Sequence, residues 1–200
     1  MEIFQYGQKE IDYLSKKDKK LGAAIDRIGM IEREITPDPF EALVSSIVGQ
    51  QISSKAADTV WRRLCNLLGS IVPESIAKAD IHEIKGCGMS LKKAGYIKNI
   101  AEASISGEVD FNILSTLPDE EIIKKLSSLH GVGVWTAEML LIFSLCRPDV
   151  VSYKDLAIRR GMMNLYDLKE LKKADFEAYR KRYSPYGSVA SLYLWALSVM

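Results

Sequence analysis

Residues Leu129 to Ala137 read LHGVGVWTA, and this stretch limits the possible folds more than any other. Upstream, Ile122, Ile123, Leu126 and Leu129 fall at helical spacing, which predicts a helix from Pro118 to Ser128. Pro118 suits its first turn, and Asp119, Glu120 and Glu121 complement its N-terminus. Downstream, an apolar run predicts a second helix from Val134 to Cys146. Between them, Gly131 and Gly133 permit positive φ and close backbone approach. A hairpin of this kind and the first-turn N–H groups of the helix after it form an anion site suited to a phosphate. About twenty residues later comes Lys154-Asp155-Leu156-Ala157-Ile158-Arg159-Arg160, with a carboxylate placed to cap another helix. A lone Gly-x-Gly is an ordinary helix corner. A phosphate-sized hairpin followed by a well-placed Asp points to a chain that grips DNA and acts on it.

The rest of the chain also reads as helices. Asp38-Pro39-Phe40-Glu41 combines an N-cap, a proline at the first helical position and a glutamate in the first turn. Ser53 or Ser54 caps a helix that runs to Leu68 and stops at Gly69, and Ser90 caps one that stops near Gly107. The apolar tail from Ser188 to Met200 predicts a buried closing helix. No alternating strand pattern and no low-complexity linker stands out. Ile84-Lys85-Gly86-Cys87-Gly88-Met89 repeats the apolar-x-Gly-x-Gly pattern of the hairpin upstream of it.

Two hundred residues allow one large domain or two small lobes, and the formal net charge is only +1. DNA binding therefore needs a local basic face rather than bulk charge. Lys85, Lys92, Lys93 and Lys98 are candidates for it, as are Arg159 and Arg160; Lys16, Lys17, Lys19 and Lys20 read as a solvated face. The three cysteines, Cys65, Cys87 and Cys146, are isolated and odd in number, which argues for a reducing compartment and against a disulfide framework. Neither they nor His82 and His130 have metal-ligand spacing. No apolar run reaches spanning length, and the N-terminus lacks a signal-peptide pattern. A soluble cytoplasmic protein is expected, with no membrane partner.

The segment Leu129 to Arg160 resembles the helix-hairpin-helix plus Gly/Pro-rich-loop-plus-Asp signature of the base-excision DNA glycosylases. Asp38 to Val44 and Ile47-Val48-Gly49-Gln50-Gln51-Ile52-Ser53 resemble the bacterial 3-methyladenine DNA glycosylase II branch in particular. The resemblance spans roughly residues 20 to 197. It implies an all-α fold of two helical lobes with an active-site cleft between them. Residues 35–137 would form the middle lobe, and residues 1–34 with 138–200 the other. Some relatives carry a C-terminal four-Cys iron–sulfur cluster, whereas the last cysteine here is Cys146, so that cluster is not expected.

The resemblance implies that Asp155 is catalytic. Glycosidic cleavage builds positive charge on the deoxyribose, and a fixed carboxylate stabilises it. Bifunctional relatives carry a Schiff-base lysine where this chain has Trp135, which is no nucleophile but stacks on a flipped base. Tyr186 matches a pocket aromatic of the larger bacterial enzyme, with Tyr for Trp, and Met139 stands where that enzyme has another aromatic. Lys154 departs from the small or acidic residue expected before the Asp. The loop with Gln50 and Gln51 would enter the minor groove, with Gln51 filling the hole left by the extruded nucleotide and Gln50 touching the opposite strand. Gly131, Gly133, Thr136 and Arg159 complete the implied DNA contacts. A monovalent cation at the carbonyls around Gly131 and Gly133 is a further implication; no redox or nucleotide cofactor is expected. The expected activity is monofunctional excision of alkylated purines from damaged duplex DNA by a monomer in a bacterial or archaeal cell, associated with the nucleoid. The alternatives are an oxidised-base glycosylase and a non-catalytic DNA-binding module.

Overall fold

Two helical units make up residues 2–200, the part of the chain that the computed structural model describes. Unit 1 is the chain up to Ile35 together with Leu141–Met200, and unit 2 is Thr36–Leu140. In chain order, β1 (Glu2–Ile3) leads into α1 (Gln8–Lys17), α2 (Lys19–Ile28) and β2 (Glu34–Ile35). The two strands pair antiparallel, Glu2 opposite Ile35 and Ile3 opposite Glu34. Such a short ladder leaves no alternating pattern in the sequence. Unit 2 holds α3 (Pro39–Gly49), α4 (Ser54–Leu68), α5 (Pro73–Lys78), α6 (Ile81–Gly86) and α7 (Leu91–Ile105). A 3₁₀ turn over Phe111–Thr116 and α8 (Asp119–Ser127) follow. The division between units falls inside α9 (Val134–Phe143), and unit 1 resumes with α10 (Leu156–Tyr166), α11 (Lys173–Tyr183) and α12 (Gly187–Leu197).

The expected caps form. Asp38 Oδ1 accepts from the Glu41 N–H at 2.7 Å, Ser53 Oγ from Ala56 at 3.3 Å and Ser90 Oγ from Lys93 at 3.2 Å. Each satisfies a first-turn N–H that has no partner inside its helix. Two ends differ from expectation. Pro118 is the cap of α8 rather than its first residue. α9 stops at Phe143, short of Cys146, which takes φ +51° while the Arg147 N–H turns back to the Leu141 carbonyl at 2.8 Å. A left-handed residue ends a helix, and no glycine marked this one in the sequence.

Unit 2 closes around an aliphatic core. Leu43, Val44, Ile47 and Val48 of α3 are buried, as are Ala94, Ile97, Ile100 and Ala101 of α7. Truncating one such residue, Ile97 to Ala, costs about 2–5 kcal/mol by transfer and cavity formation. Unit 1 packs more polar groups. The Tyr166 hydroxyl donates to Asp18 Oδ2 at 2.6 Å and shares a hydrogen bond with the Tyr183 hydroxyl at 2.8 Å, while Asp18 Oδ1 caps α2 through the Leu21 N–H. α10 lies directly against α12 because Gly161 has no side chain: a Cβ there would stand 1.9 Å from the Leu194 carbonyl oxygen. Among the described residues, no helix is long and apolar enough to cross a membrane.

Candidate functional site

The hairpin connects α8 to α9 within unit 2. Gly131 takes φ +86°, and a Cβ there would stand 2.2 Å from a ring carbon of Tyr96 on α7, so only glycine fits. Gly133 does not take positive φ, contrary to expectation. It leaves open space instead, since a Cβ there would meet nothing within 4 Å. Its carbonyl accepts from the Ala137 N–H at 3.1 Å and starts α9. Val134, Trp135 and Thr136 then form the first turn of α9. Open space over a helix N-terminus is the geometry a phosphate needs. The Thr136 side chain is buried, at 4 % exposure, so a contact from this residue to DNA would run through its backbone. Glycine spacing does not carry over to the earlier Gly-x-Gly. There the positive φ, +113°, falls on the second glycine, Gly88, and Gly86 belongs to α6.

The loop after α3 reaches the hairpin. Gln50 Nε2 donates to the Gly131 carbonyl at 3.0 Å, joining two segments that are far apart in sequence. Gln51, next to it, is exposed and takes φ +60°. Gln50 therefore has a specific internal partner, whereas Gln51, Ile52 and Ser53 of the same loop are exposed.

The basic candidates divide. Lys98 Nζ donates to the carbonyls of Ala77 at 2.9 Å and Ala79 at 2.8 Å, closing the C-terminal end of α5. Lys93 Nζ donates to the carbonyls of Val48, at 2.8 Å, and Gln50. Burial lowers the Lys93 pKa from the ordinary lysine value. Both lysines were expected on a DNA-facing surface, and both instead hold the backbone of unit 2. Lys85 and Lys92 stay exposed, with Lys92 over the Tyr96 ring at 5.8 Å.

Unit 1 carries Asp155. It caps α10, its Oδ1 accepting from the Ile158 N–H at 2.9 Å, and it is 7 % exposed, whereas Lys154 is exposed. The loop leading to it is laced to the start of α12. Asp149 accepts from the Ser184 hydroxyl and from the Gly187 N–H at 3.1 Å. The Ser188 hydroxyl donates to the Arg147 carbonyl and accepts from the Val150 N–H at 3.0 Å; the Ser191 hydroxyl donates to the Val150 carbonyl at 2.9 Å. The sequence reading missed these anchors. Their signal was two serines, three apart, in an otherwise apolar helix. Arg159 is half-buried with its guanidinium over the Tyr153 ring at 5.1 Å, so it braces this same loop, and Arg160 is the exposed one.

Of the residues expected to meet a flipped base, Trp135 and Met139 belong to unit 2 and Tyr186 to unit 1. Trp135 is 40 % exposed in the first turn of α9, which sets it apart from a core tryptophan, and Met139 follows one turn later, half-buried. Tyr186 is half-buried and meets Tyr13 edge to face, with centroids 5.2 Å apart. The two glycine carbonyls implied for a cation already accept protein N–H groups, Gly131 from Gln50 and Gly133 from Ala137.

Residues 44–185 match the family model described as HhH-GPD superfamily base excision DNA repair protein. A curated relative, DNA-3-methyladenine glycosylase 1 of Schizosaccharomyces pombe, is 37 % identical over 169 residues, covering 80 % of this chain and 73 % of the relative. A DNA-3-methyladenine glycosidase from Bacillus halodurans superposes with TM-score 0.87 at 35 % identity, covering 99 % of this chain and 93 % of that one. A 3-methyladenine DNA glycosylase of Schizosaccharomyces pombe, solved in complex with abasic DNA, superposes with TM-score 0.85 at 33 % identity, covering 96 % and 98 %. The match over 142 of 200 residues and these identities place the chain in the HhH-GPD superfamily of base excision DNA repair proteins.

Proposed function

We propose that the chain is a monofunctional DNA glycosylase that excises alkylated purines of the 3-methyladenine type from duplex DNA, acting as a monomer in the cytoplasm. Trp135 carries the reading. At the place after the hairpin where bifunctional relatives keep a lysine, an indole stands 40 % open. It has no nucleophilic nitrogen for a Schiff base, and its π-face attracts an electron-poor alkylated base. The names of the similar proteins support the same substrate class.

In this reading the hairpin N–H groups and the start of α9 hold a phosphate, and Gln51 takes the place of the extruded nucleotide. Trp135 stacks on the base, Met139 adds a polarizable apolar neighbour, and Tyr186 offers a second aromatic. The bond between C1′ and the base nitrogen breaks, and the electron pair leaves with the base. A purine methylated at N3 or N7 is cationic in DNA, so it departs neutral. Positive charge passes to the sugar, where the Asp155 carboxylate stabilises it until water adds at C1′ and gives up a proton. The product is an abasic site.

The test is incubation with methylated duplex DNA and chromatography of whatever is released. The expected result is 3-methyladenine and related alkylpurines as free bases. Release of oxidised purines alone, or of no base at all, contradicts the proposal.

A further inference from the structure

We propose that Lys93 is a positioning residue for base extrusion, holding the loop from Gln50 to Ser53 in its inserting conformation. The inference rests on the reading of the chain as a base-extruding enzyme. Lys93 sits in the first turn of α7, where a cation opposes the helix dipole and does nothing for its own helix. Its ammonium instead reaches the C-terminal end of α3, where carbonyls carry partial negative charge, and donates to Val48 and Gln50. Among the described residues no carboxylate pairs with it. It is half-buried, so the contact to backbone oxygens takes the place of solvent.

The residue after the clamp is Gln51, at φ +60°, a backbone region that a residue with a side chain keeps only when its surroundings hold it there. The clamp lies at the base of this turn and leaves its tip exposed. The side chain of Gln50, whose carbonyl Lys93 holds, donates to Gly131 of the hairpin. Gly131 in turn packs on Tyr96, one turn along α7 from Lys93. Lys93, Gln50, Gly131 and Tyr96 thus close a ring of contacts within unit 2. The ring ties the group that would grip phosphate to the group that would fill the base stack. Without Lys93, insertion has to order the loop at the moment of extrusion, and part of the binding energy is lost to that ordering.

The test compares wild type with Lys93→Met and Lys93→Arg on two DNAs. In one the lesion is paired in a full duplex; in the other it lies opposite an abasic gap, where extrusion costs little. Single-turnover excision at saturating enzyme is measured on both, and 2-aminopurine fluorescence beside the lesion reads extrusion without chemistry. Lys93→Met is expected to slow excision from the paired duplex by about ten- to a hundredfold, as two charge-assisted bonds are lost. Excision opposite the gap should change by no more than about threefold, the 2-aminopurine signal should fall, and Arg should restore both. Equal losses on the two DNAs, or no loss, overturn the proposal. Should Lys93→Met melt below the assay temperature, Gln50→Ala breaks the same ring at its link to the hairpin and must show the same paired-duplex deficit. If wild type releases no base, the activity reading fails. The fluorescence arm still decides the role of Lys93.

Discussion

The two units solve different problems with different interiors. Of the eight buried polar or charged residues among those described, seven belong to unit 1: Asp18, Ser144, Ser152, Asp155, Ser188, Ser191 and Ser198. Unit 2 has one, Thr136. Unit 2 rests on aliphatic helix packing, and its hairpin and the loop after α3 are fastened near the surface, by Lys93 and Gln50 on backbone carbonyls. Unit 1 threads hydroxyls and carboxylates through its core and fastens the loop before Asp155 from inside. Gripping a phosphate needs exposed N–H groups and a firm base. Placing one carboxylate against a developing charge needs a backbone with no slack, since small misplacements are costly. Hydrogen bonds are directional and buried ones are costly to break, so they hold a loop where apolar contacts would let it slide.

The largest effect that would sharpen this contrast is at Asp155. Asp155→Asn should lower single-turnover excision by about a thousandfold while affinity for undamaged duplex stays within about threefold, because charge stabilisation is lost and phosphate contacts remain. Near wild-type turnover would detach the chemistry from unit 1.

Asp149 tests whether the polar interior positions that carboxylate. Asp149→Ala removes the acceptor for Ser184 and Gly187, and excision should fall by about a hundredfold with duplex affinity kept. Asn, which keeps an oxygen for the Gly187 N–H, should recover part of it. A loss in affinity as large as the loss in rate would make Asp149 a folding residue only.

Trp135→Ala probes unit 2. Stacking is worth roughly 1–3 kcal/mol per base, so catalytic efficiency should drop by about one to two orders of magnitude, with nonspecific affinity little changed. Equal losses in excision and in binding to undamaged duplex would return Trp135 to the core.

The smallest effect concerns alkali. Burial pushes the hydroxyls of Tyr166, Tyr183 and Tyr193 well above the usual tyrosine range, helped at Tyr166 by the neighbouring Tyr183 and Asp18. All three lie in unit 1. Because their folded pKa exceeds the unfolded value near 10, the stability they contribute is whole below about pH 10 and is lost as pH rises beyond it. The melting temperature should fall there by about 2–4 °C per kcal/mol lost. Tyrosinate absorbance should show a late step that coincides with loss of helix. Smooth ionisation of all nine tyrosines with the helices intact would contradict the buried network.

What was legible in the sequence was local. Asp38, Ser53, Ser90 and Asp155 announce their helices because a cap needs only its own side chain and the next turn. The hairpin was legible because its glycines sit between two helical periods. Lys93 and Lys98 were not legible: the residues around a lysine do not say whether its ammonium meets water or the end of another helix. The burial of the Thr136 side chain was not legible either, because its place beside the hairpin does not say which way it turns. Asp149 went unnoticed because its partners, Ser184 and Gly187, are more than thirty residues away in sequence. Lys154, which departs from the family pattern, is exposed while its neighbour Asp155 is buried.

That neighbour, a carboxylate and not a lysine, is the centre of the account, and the fate of the sugar tests it most directly. Duplex DNA carrying one alkylated purine and a strand label is incubated with the protein, with borohydride added to one half. The prediction is an abasic strand that stays intact until alkali cleaves it, and no covalent adduct under borohydride. A trapped adduct that disappears in Lys154→Ala, or strand cleavage without alkali, would contradict it.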